Sequence, residues 1–166
     1  MKITSHYASY SGTDYIFDYE DVDSFELLKD QKCTQCYAVC FYEDKMVIVH
    51  NAEKDHWGLI GGSIEDSETF EQTLKREIQE ESNMEMISCL PVGYQKVTDS
   101  RDGSYFFQLR YVCTAKPLGP FISDPAGSID KIELISPADY KKYFDWGEIG
   151  ERIINRAQEL LPQLLD

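Results

Sequence analysis

Residues 61–84, GGSIEDSETFEQTLKREIQEESNM, place Glu77, Glu80 and Glu81 within five positions of one another, shortly after a diglycine. Like charges one helical turn apart destabilise a helix by about 0.2–0.5 kcal/mol per pair. The cluster must therefore be screened by water on an exposed face, or be compensated by a bound positive charge. The face of the helix that carries the glutamates decides between these two explanations.

The segment predicts a helix with recognisable start and stop signals. Thr69 and Gln72 have the spacing of a capping box, which predicts that the helix begins at Phe70. Asn83 tolerates the left-handed conformation in which helices commonly end. We therefore expect the three glutamates to lie on a helix of about three turns that follows Gly61-Gly62.

The three glutamates share a face with apolar residues. At about 100° per residue they span an arc about 100° wide, which overlaps the stripe formed by Phe70, Leu74 and Ile78. Carboxylates at the edge of a core are partly desolvated and repel one another, so either their pKa rises or they bind a cation. An acidic run is more often structural, but this face and the preceding diglycine favour a site. Carboxylates without a neighbouring His or Cys suit Mg²⁺ or Mn²⁺ better than zinc.

The composition is that of a globular domain, with 42% hydrophobic and 13% aromatic residues among 166. A net charge of −14 disfavours DNA and RNA as partners but is compatible with a small phosphorylated ligand whose charge is screened by cations. Five cysteines, an odd number, indicate reduced thiols in a cytoplasmic protein. Cys33-x2-Cys36 lacks the second ligand pair of a zinc site. Neither a signal peptide nor an apolar run of about 20 residues is present, so we expect no membrane partner.

The rest of the chain predicts an α+β fold in which helices pack against a mixed sheet. Residues 1–32 are interpreted as an N-terminal extension of uncertain role with short strands, to which a homodimer contact is one role open. Residues 33–166 are interpreted as a single domain. Strands are predicted at 37–42, 46–50, 92–98, 105–115 and 131–135, with loops at 52–58 and 116–128. A short helix capped by Ser136 and an amphipathic helix over 148–165 complete the domain.

The spacing of the acidic segment resembles the signature of the Nudix hydrolases. The matching residues are Gly62-x5-Glu68-x7-Arg76-Glu77-Ile78-x-Glu80-Glu81-x-Asn83-Met84. Asn83 stands where the signature has its last glycine and keeps the helix-ending role, and Ile60 stands where many relatives have proline. The resemblance covers roughly residues 36–160 and implies the α/β/α sandwich of the family, with a mixed sheet between helices.

The same resemblance implies a metal-dependent pyrophosphohydrolase. Such an enzyme uses water to cleave the diphosphate linkage of a nucleoside diphosphate joined to a second moiety, X. The implied ligands of Mg²⁺ or Mn²⁺ are Glu77, Glu80, Glu81 and the carbonyl of Gly61. Glu68 would orient or deprotonate the water, and Arg76 would hold a glutamate in place. Glu68, Glu77 and Glu81 all stay candidates for the general base.

Several roles outside the signature stay open at the level of sequence. Asp124 or Asp130 could add a carboxylate to the metal site, although turn formation is the commoner role of a loop aspartate. Base stacking or core packing is open to four aromatic residues: Trp57, Tyr94, Tyr105 and Phe107. His56 could touch a phosphate or could simply be exposed. The alternative functions are a catalytically weak nucleotide-sensing module, which usually lacks some signature glutamates, and a purely structural acidic helix.

Overall fold

The computed structural model describes residues 1–125 and 127–165. Ala126, in the predicted loop 116–128, and Asp166, at the end of the predicted domain, lie outside the described residues. The strands are β1 (Lys2–Ala8), β2 (Asp14–Asp21), β3 (Cys33–Tyr42), β4 (Lys45–Asn51), β5 (His56–Gly58), β6 (Ile60–Ser63), β7 (Met84–Asp99), β8 (Tyr105–Pro117) and β9 (Ile129–Ile135). They form one sheet in the order β1-β2-β7-β8-β3-β4-β5, with β6 beside β3 and β9 beside β4.

Two helices cover the two faces of this sheet. The helices are α1 (Phe70–Ser82) and α2 (Gly147–Leu160), and short 3-10 turns lie at Glu26–Leu28, Pro137–Lys142 and Leu161–Leu164. Leu74 and Ile78 of α1 pack into one apolar cluster, and Ile153 of α2 packs into the other. The β3–β8 pair is parallel and its neighbours are antiparallel, so the predicted α+β fold with a mixed sheet between helices is confirmed.

Helix α1 forms as its sequence signals predict. The Thr69 side chain accepts a hydrogen bond from the Gln72 backbone N–H, and the Gln72 side chain accepts one from the Thr69 N–H. Asn83 ends the helix in the left-handed conformation, at φ 53° and ψ 40°. These caps satisfy backbone groups that would otherwise lack partners at both ends. They fix where along the chain the glutamates enter the helix.

Some predicted boundaries were wrong because pairing with distant strands extends or creates a strand. Residues 56–58 form β5 against β4, although the sequence indicated a polar loop there. Strand β7 begins at Met84, well before the predicted start at Val92, since it pairs along the full length of β8. Ser136 takes the predicted N-cap position with Pro137 after it, but its side chain makes no capping hydrogen bond and the segment is a 3-10 turn.

The N-terminal residues contribute two strands to the sheet. Strand β2 pairs with β7 from Tyr15↔Asp99 to Asp21↔Gly93, and β1 pairs with β2 at the sheet edge. Tyr19 of β2 is almost fully buried, at 1% exposure. These strands therefore share the core of the sheet. In the described part of the chain, no helix combines the length and apolar character that crossing a bilayer requires.

Candidate active site

The diglycine brings β6 and α1 into close contact. A Cβ on Gly61 would overlap the carbonyl oxygen of Cys36, so only glycine lets β6 lie this close to β3. A Cβ on Gly62 would stand 2.7 Å from Cδ of Glu77, because the Glu77 carboxylate rests directly on this backbone. The absence of side chains at both positions thus makes room for the carboxylates of α1.

Glu81 is the most buried of the signature glutamates, with 7% of its surface exposed. The Gly61 backbone N–H donates a hydrogen bond to Glu81 Oε1 at 2.8 Å. Burial, together with the nearby charges of Glu77 and Asp124, raises the pKa of Glu81 to about 8 against the opposing effect of that hydrogen bond. Burial also raises the pKa of Glu77. The surroundings of Glu77 and Glu81 therefore disfavour the ionised form of both carboxyl groups.

Arg76 connects the other carboxylates of the signature. Its Nε and Nη2 donate to both oxygens of Glu68, at 2.8 and 2.9 Å. Its Nη1 donates to Glu77 at 2.9 Å and to Glu80 at 3.2 Å. Nη2 also donates to the backbone carbonyl of Ser63 on β6, at 2.9 Å. One guanidinium thus ties α1 to the preceding loop and strand, but none of these hydrogen bonds reaches Glu81.

Glu68 lies beside the cluster and is fully engaged by its neighbours. Besides Arg76, it accepts hydrogen bonds from the Thr73 hydroxyl and the Glu65 backbone N–H, each at 2.9 Å. The hydrogen bonds from Arg76 lower the pKa of Glu68 to about 2. A carboxylate with so low a pKa accepts a proton poorly. The geometry suits Glu68 better to orienting Arg76 than to deprotonating water.

Of the two loop aspartates, only Asp124 is brought to the glutamates. It is 7% exposed, and its charge contributes to the raised pKa values of Glu77 and Glu81. It also accepts a hydrogen bond from the Ile129 backbone N–H at 3.2 Å. Asp130 instead pairs with His50, whose Nδ1 lies 2.6 Å from Asp130 Oδ1. The structure therefore distinguishes Asp124, which lies near the glutamates, from Asp130, a distinction that the sequence alone did not allow.

The donor set fits a hard divalent cation. Its side chains offer carboxylate oxygens, the ligands that Mg²⁺ and Mn²⁺ prefer. Glu81 is buried among other carboxylates with no cationic partner among the described residues. No three His, Cys, Asp or Glu side chains in residues 1–125 and 127–165 are already arranged as metal ligands. Arg76 contacts Glu77 and Glu80 instead, so their carboxylates would have to turn from Arg76 to bind a metal ion together.

The aromatic candidates pack on one another. Trp57 meets Tyr143 edge to face at 5.6 Å between ring centroids, and Phe107 contacts both Tyr94 and Tyr105. His56 is exposed on β5. Core and hairpin packing therefore accounts for these four rings. Sequence reasoning missed a row of polar side chains within apolar strands, Gln35, Gln95, Gln108 and Arg110, whose signal was the interruption of those strands by polar residues.

A cavity of about 590 Å³ opens beside the cluster, between the outer face of α1 and the loop that follows β8. Arg76 and Glu80 line it on the helix side, and Pro120 and Ile122 line it on the loop side. Its volume is in the range of small-molecule sites. Glu80 and Arg76 therefore adjoin open space large enough for part of a substrate.

Comparison with known proteins places this geometry in a family. The sequence matches the model of the NUDIX domain over residues 34–156. No curated protein sequence gives a significant match. Among solved structures, a mutant of the Bacillus subtilis pyrophosphohydrolase BsRppH is 14% identical and covers 93% of this chain and 96% of its own, with a TM-score of 0.69.

Two further solved structures have similar folds. A NUDIX hydrolase from Nitrosomonas europaea is 16% identical and covers 77% of this chain and 90% of its own, with a TM-score of 0.63. The NUDIX domain of Shewanella oneidensis NrtR, solved with ADP ribose, is 20% identical and covers 82% of this chain and 92% of its own, with a TM-score of 0.53. At these identities the likeness shows the fold alone.

Proposed function

The chain belongs to the Nudix family of hydrolases, which act on pyrophosphate bonds; from that membership we propose that it is a metal-dependent pyrophosphohydrolase. Its substrate would be a small nucleoside diphosphate linked to a moiety X, and water would be the nucleophile. The bond broken is the phosphoric anhydride between the two phosphates.

One observation carries the proposal. Glu81 is buried at 7% exposure and lies near the carboxylates of Glu77, Glu80 and Asp124. Within residues 1–125 and 127–165 its only hydrogen bond comes from the Gly61 backbone N–H. A buried charge without a compensating partner costs several kcal/mol. Glu77 and Glu80 share the charge of Arg76, whereas no cation among the described residues contacts Glu81, so a positive charge is still needed there. A divalent cation would supply it.

The residues that would hold Mg²⁺ or Mn²⁺ are Glu77, Glu80, Glu81 and the carbonyl of Gly61, with Asp124 as a fifth candidate. When bound, the ion neutralises charge on the two phosphates and makes water easier to deprotonate. Arg76 fixes Glu68 and, through Ser63, the end of β6, so it acts as a positioning residue for the cluster.

Glu81 and Glu77 are better placed than Glu68 to accept a proton from the attacking water. Both of Glu68's oxygens receive hydrogen bonds from Arg76. Glu81 uses one oxygen for the Gly61 N–H, so its second oxygen stays available. These hydrogen bonds favour Glu81 and Glu77, on one face of α1, over Glu68 as candidates for the general base.

A turnover assay tests the proposal. The chain is incubated with nucleoside triphosphates, nucleotide sugars and dinucleoside polyphosphates, with Mg²⁺ or with chelator, and nucleotide products are measured. We expect release with Mg²⁺ and none with chelator. Glu80→Gln and Glu81→Gln should each lower turnover at least ~10²-fold, since each removes charge stabilisation in the transition state. Wild-type turnover in both variants would refute the metal assignment.

The same panel separates the enzyme from a nucleotide-sensing module. Sensing modules usually lack some of the signature glutamates, whereas this chain retains all of them. Retention of all the signature glutamates favours an enzyme that hydrolyses its nucleotide over a module that only binds it. A chain that bound nucleotides from the panel without cleaving any of them in Mg²⁺ would instead be a sensing module.

A further inference from the structure

A row of amide side chains crosses the sheet on the face that carries α2. Gln95 of β7 lies opposite Gln108 of β8, which lies opposite Gln35 of β3. Gln95 Nε2 donates to Gln108 Oε1 at 3.2 Å, and Gln108 Nε2 donates in turn to Gln35 Oε1. We call these three residues the glutamine ladder. Apolar residues usually fill the inner face of a sheet, so a hydrogen-bonded polar row there requires an explanation.

Arg110 fixes the direction in which the ladder's hydrogen bonds run. Arg110 lies two residues beyond Gln108 on the same face of β8, and its Nη2 donates to Gln108 Oε1 at 3.0 Å. A guanidinium can only donate, so the oxygen of the Gln108 amide must face it. The Gln108 nitrogen then faces Gln35 and takes up the oxygen of that amide. The amide nitrogen of Gln35 is therefore left at the end of the ladder as a donor.

The burial of Arg110 supports a role beyond packing. The residue is 6% exposed, and no carboxylate among the described residues forms an ion pair with it. Its guanidinium lies 5.0 Å from the ring of Tyr37, and its Nε has no hydrogen-bond partner in the described part of the chain. A buried cation without a carboxylate is costly. Only a hydrogen-bond donor at position 110 can hold the oxygen of the Gln108 amide towards it, and this contact orients the ladder.

The ladder ends beside β6, the strand that carries Gly61 of the candidate active site. Gln35 lies opposite Ser63 of β6, and in the next row Arg110 lies opposite Tyr37, which lies opposite Gly61. Two strand spacings separate Arg110 from Gly61, which is about 10 Å. Gly61 donates to Glu81, and the carbonyl of Ser63 accepts from Arg76. A nucleotide whose phosphates lie at the glutamates can reach the ladder across the edge formed by β6.

The outer end of the ladder is open. Helix α2 covers apolar residues farther along the same strands, including Val39 and Val112, whereas Gln35 and Gln108 stay partly exposed. Phe17 and Phe106, also partly exposed, lie in the neighbouring row on the same face. Aromatic rings that stack and amides that hydrogen-bond are the groups with which proteins recognise unpaired bases.

We propose, resting on the proposed function above, that the glutamine ladder recognises the nucleobase of the substrate and selects guanine over adenine. Guanine presents two adjacent acceptors, O6 and N7, to the donor of Gln35. Adenine presents its N6 amino donor beside N7. A glutamine pairs with adenine when its oxygen and nitrogen both face the base, but the Gln35 oxygen accepts from Gln108 Nε2 here. The remaining donor would face the adenine amino group, which would then lack an acceptor, and this penalises the wrong base.

Nucleotide binding without turnover tests this proposal independently of catalysis. The affinities of GMP and AMP for the full chain are measured by calorimetry in the presence of chelator. We expect GMP to bind at least about tenfold more tightly than AMP. Gln35→Glu replaces the terminal donor by an acceptor and should reduce this ratio at least about tenfold. Gln31→Glu adds the same charge in an exposed loop outside the ladder and should leave the ratio unchanged.

Arg110→Met provides a second variant, which frees the Gln108 amide to turn while keeping a long side chain. Its GMP-to-AMP ratio should fall towards one. Equal affinities of the wild type for GMP and AMP, or an unchanged ratio in Gln35→Glu, would overturn the proposal. A GMP preference in a chain that shows no turnover would refute only the proposed function. Turnover of panel substrates without base preference would refute only the ladder's role.

Discussion

At the residue scale, the behaviour of the site depends on how little water reaches Glu81. Its carboxylate is buried, and its one hydrogen bond in the described part of the chain comes from the Gly61 N–H. Desolvation and neighbouring carboxylates act in the same direction there, and both disfavour ionisation. A group in that state destabilises the metal-free fold at neutral pH and stabilises it once a cation binds.

The pH dependence of stability follows from Glu81. Its pKa is 4.5 when unperturbed and about 8 in the fold, so between these values the folded state holds a proton that the unfolded state has lost. The contribution of Glu81 is therefore full below pH 4.5 and is lost as the pH rises through 8. We expect Glu81→Gln to become progressively more stable than the wild type over this range, measured by urea unfolding in chelator.

Glu71→Gln is the matched control for this measurement, because Glu71 is exposed in the first turn of the same helix. Its stability should follow that of the wild type as the pH rises. If the curves for Glu81→Gln and the wild type ran parallel from pH 5 to pH 8, Glu81 would not be the desolvated carboxylate that the structure describes.

Gly62 gives a second prediction at the residue scale. In Gly62→Ala the new methyl group would meet the carboxylate of Glu77, so that side chain must move. Small displacements of catalytic groups can cost about 10²-fold in rate, and we expect a loss of at least ~10-fold in turnover. Gly58→Ala is the control, since its Cβ would meet only Trp146 at 3.6 Å. Equal activities of the two variants would contradict the placement of Glu77.

At the scale of elements, helix α1 was predictable because its signals are local. Thr69, Gln72 and Asn83 cap the helix at the predicted positions, and Leu74 and Ile78 pack on the predicted face. The shared face of the site glutamates was predictable from that helix. Strand β5 and the early start of β7 were not predictable, because long-range pairing with β4 and β8 determines them. Asp124 and Asp130 could not be told apart for the same reason.

An ion pair between β2 and α2 is expected to contribute to the stability of the fold. Arg152 Nε donates to Oδ1 and Oδ2 of Asp21 at 3.2 and 3.0 Å, and Arg152 Nη2 donates to Oδ2 at 2.7 Å. Burial opposes ionisation of Asp21, but hydrogen bonds from Arg152 and the N-terminus outweigh it and lower its pKa. We expect Asp21→Asn to reduce the free energy of unfolding at pH 7 by about 2–3 kcal/mol.

That difference should shrink as the pH falls below 3.8, the unperturbed pKa of Asp21, because the wild type then loses the same charge. Asp23→Asn serves as the control, since Asp23 is 91% exposed and its pair with Arg156 should contribute little. A pH-independent gap between Asp21→Asn and the wild type would show that the ion pair is not the cause.

At the scale of the whole molecule, the nine strands found in residues 1–125 and 127–165 form one sheet, and α1 and α2 cover its two faces. The sequence predicted this class because alternating apolar runs and two amphipathic helices indicate it. It left residues 1–32 as an extension of uncertain role, since their apolar pattern is weak. The sheet includes them through β2 and buries Tyr19, a contact with β7 that only the folded chain reveals.

Removal of residues 1–21 should therefore destabilise the whole domain. It would expose the long edge of β7 and the apolar residues beneath Tyr19, and exposed edges promote aggregation. We expect loss of the cooperative urea transition and association in size-exclusion chromatography. Tyr10→Ser, a change at the exposed hairpin tip, should alter neither property. A truncated chain with undiminished stability would make residues 1–32 a separate extension.

The most direct test of the central claim is Mn²⁺ binding followed by electron paramagnetic resonance, which reports free Mn²⁺ without requiring a substrate. The wild type should remove Mn²⁺ from the free pool, and Glu81→Gln should weaken binding at least ~10-fold, whereas Glu71→Gln should bind like the wild type. Unchanged Mn²⁺ binding in Glu81→Gln would contradict the conclusion that the buried carboxylates of α1 hold the metal ion.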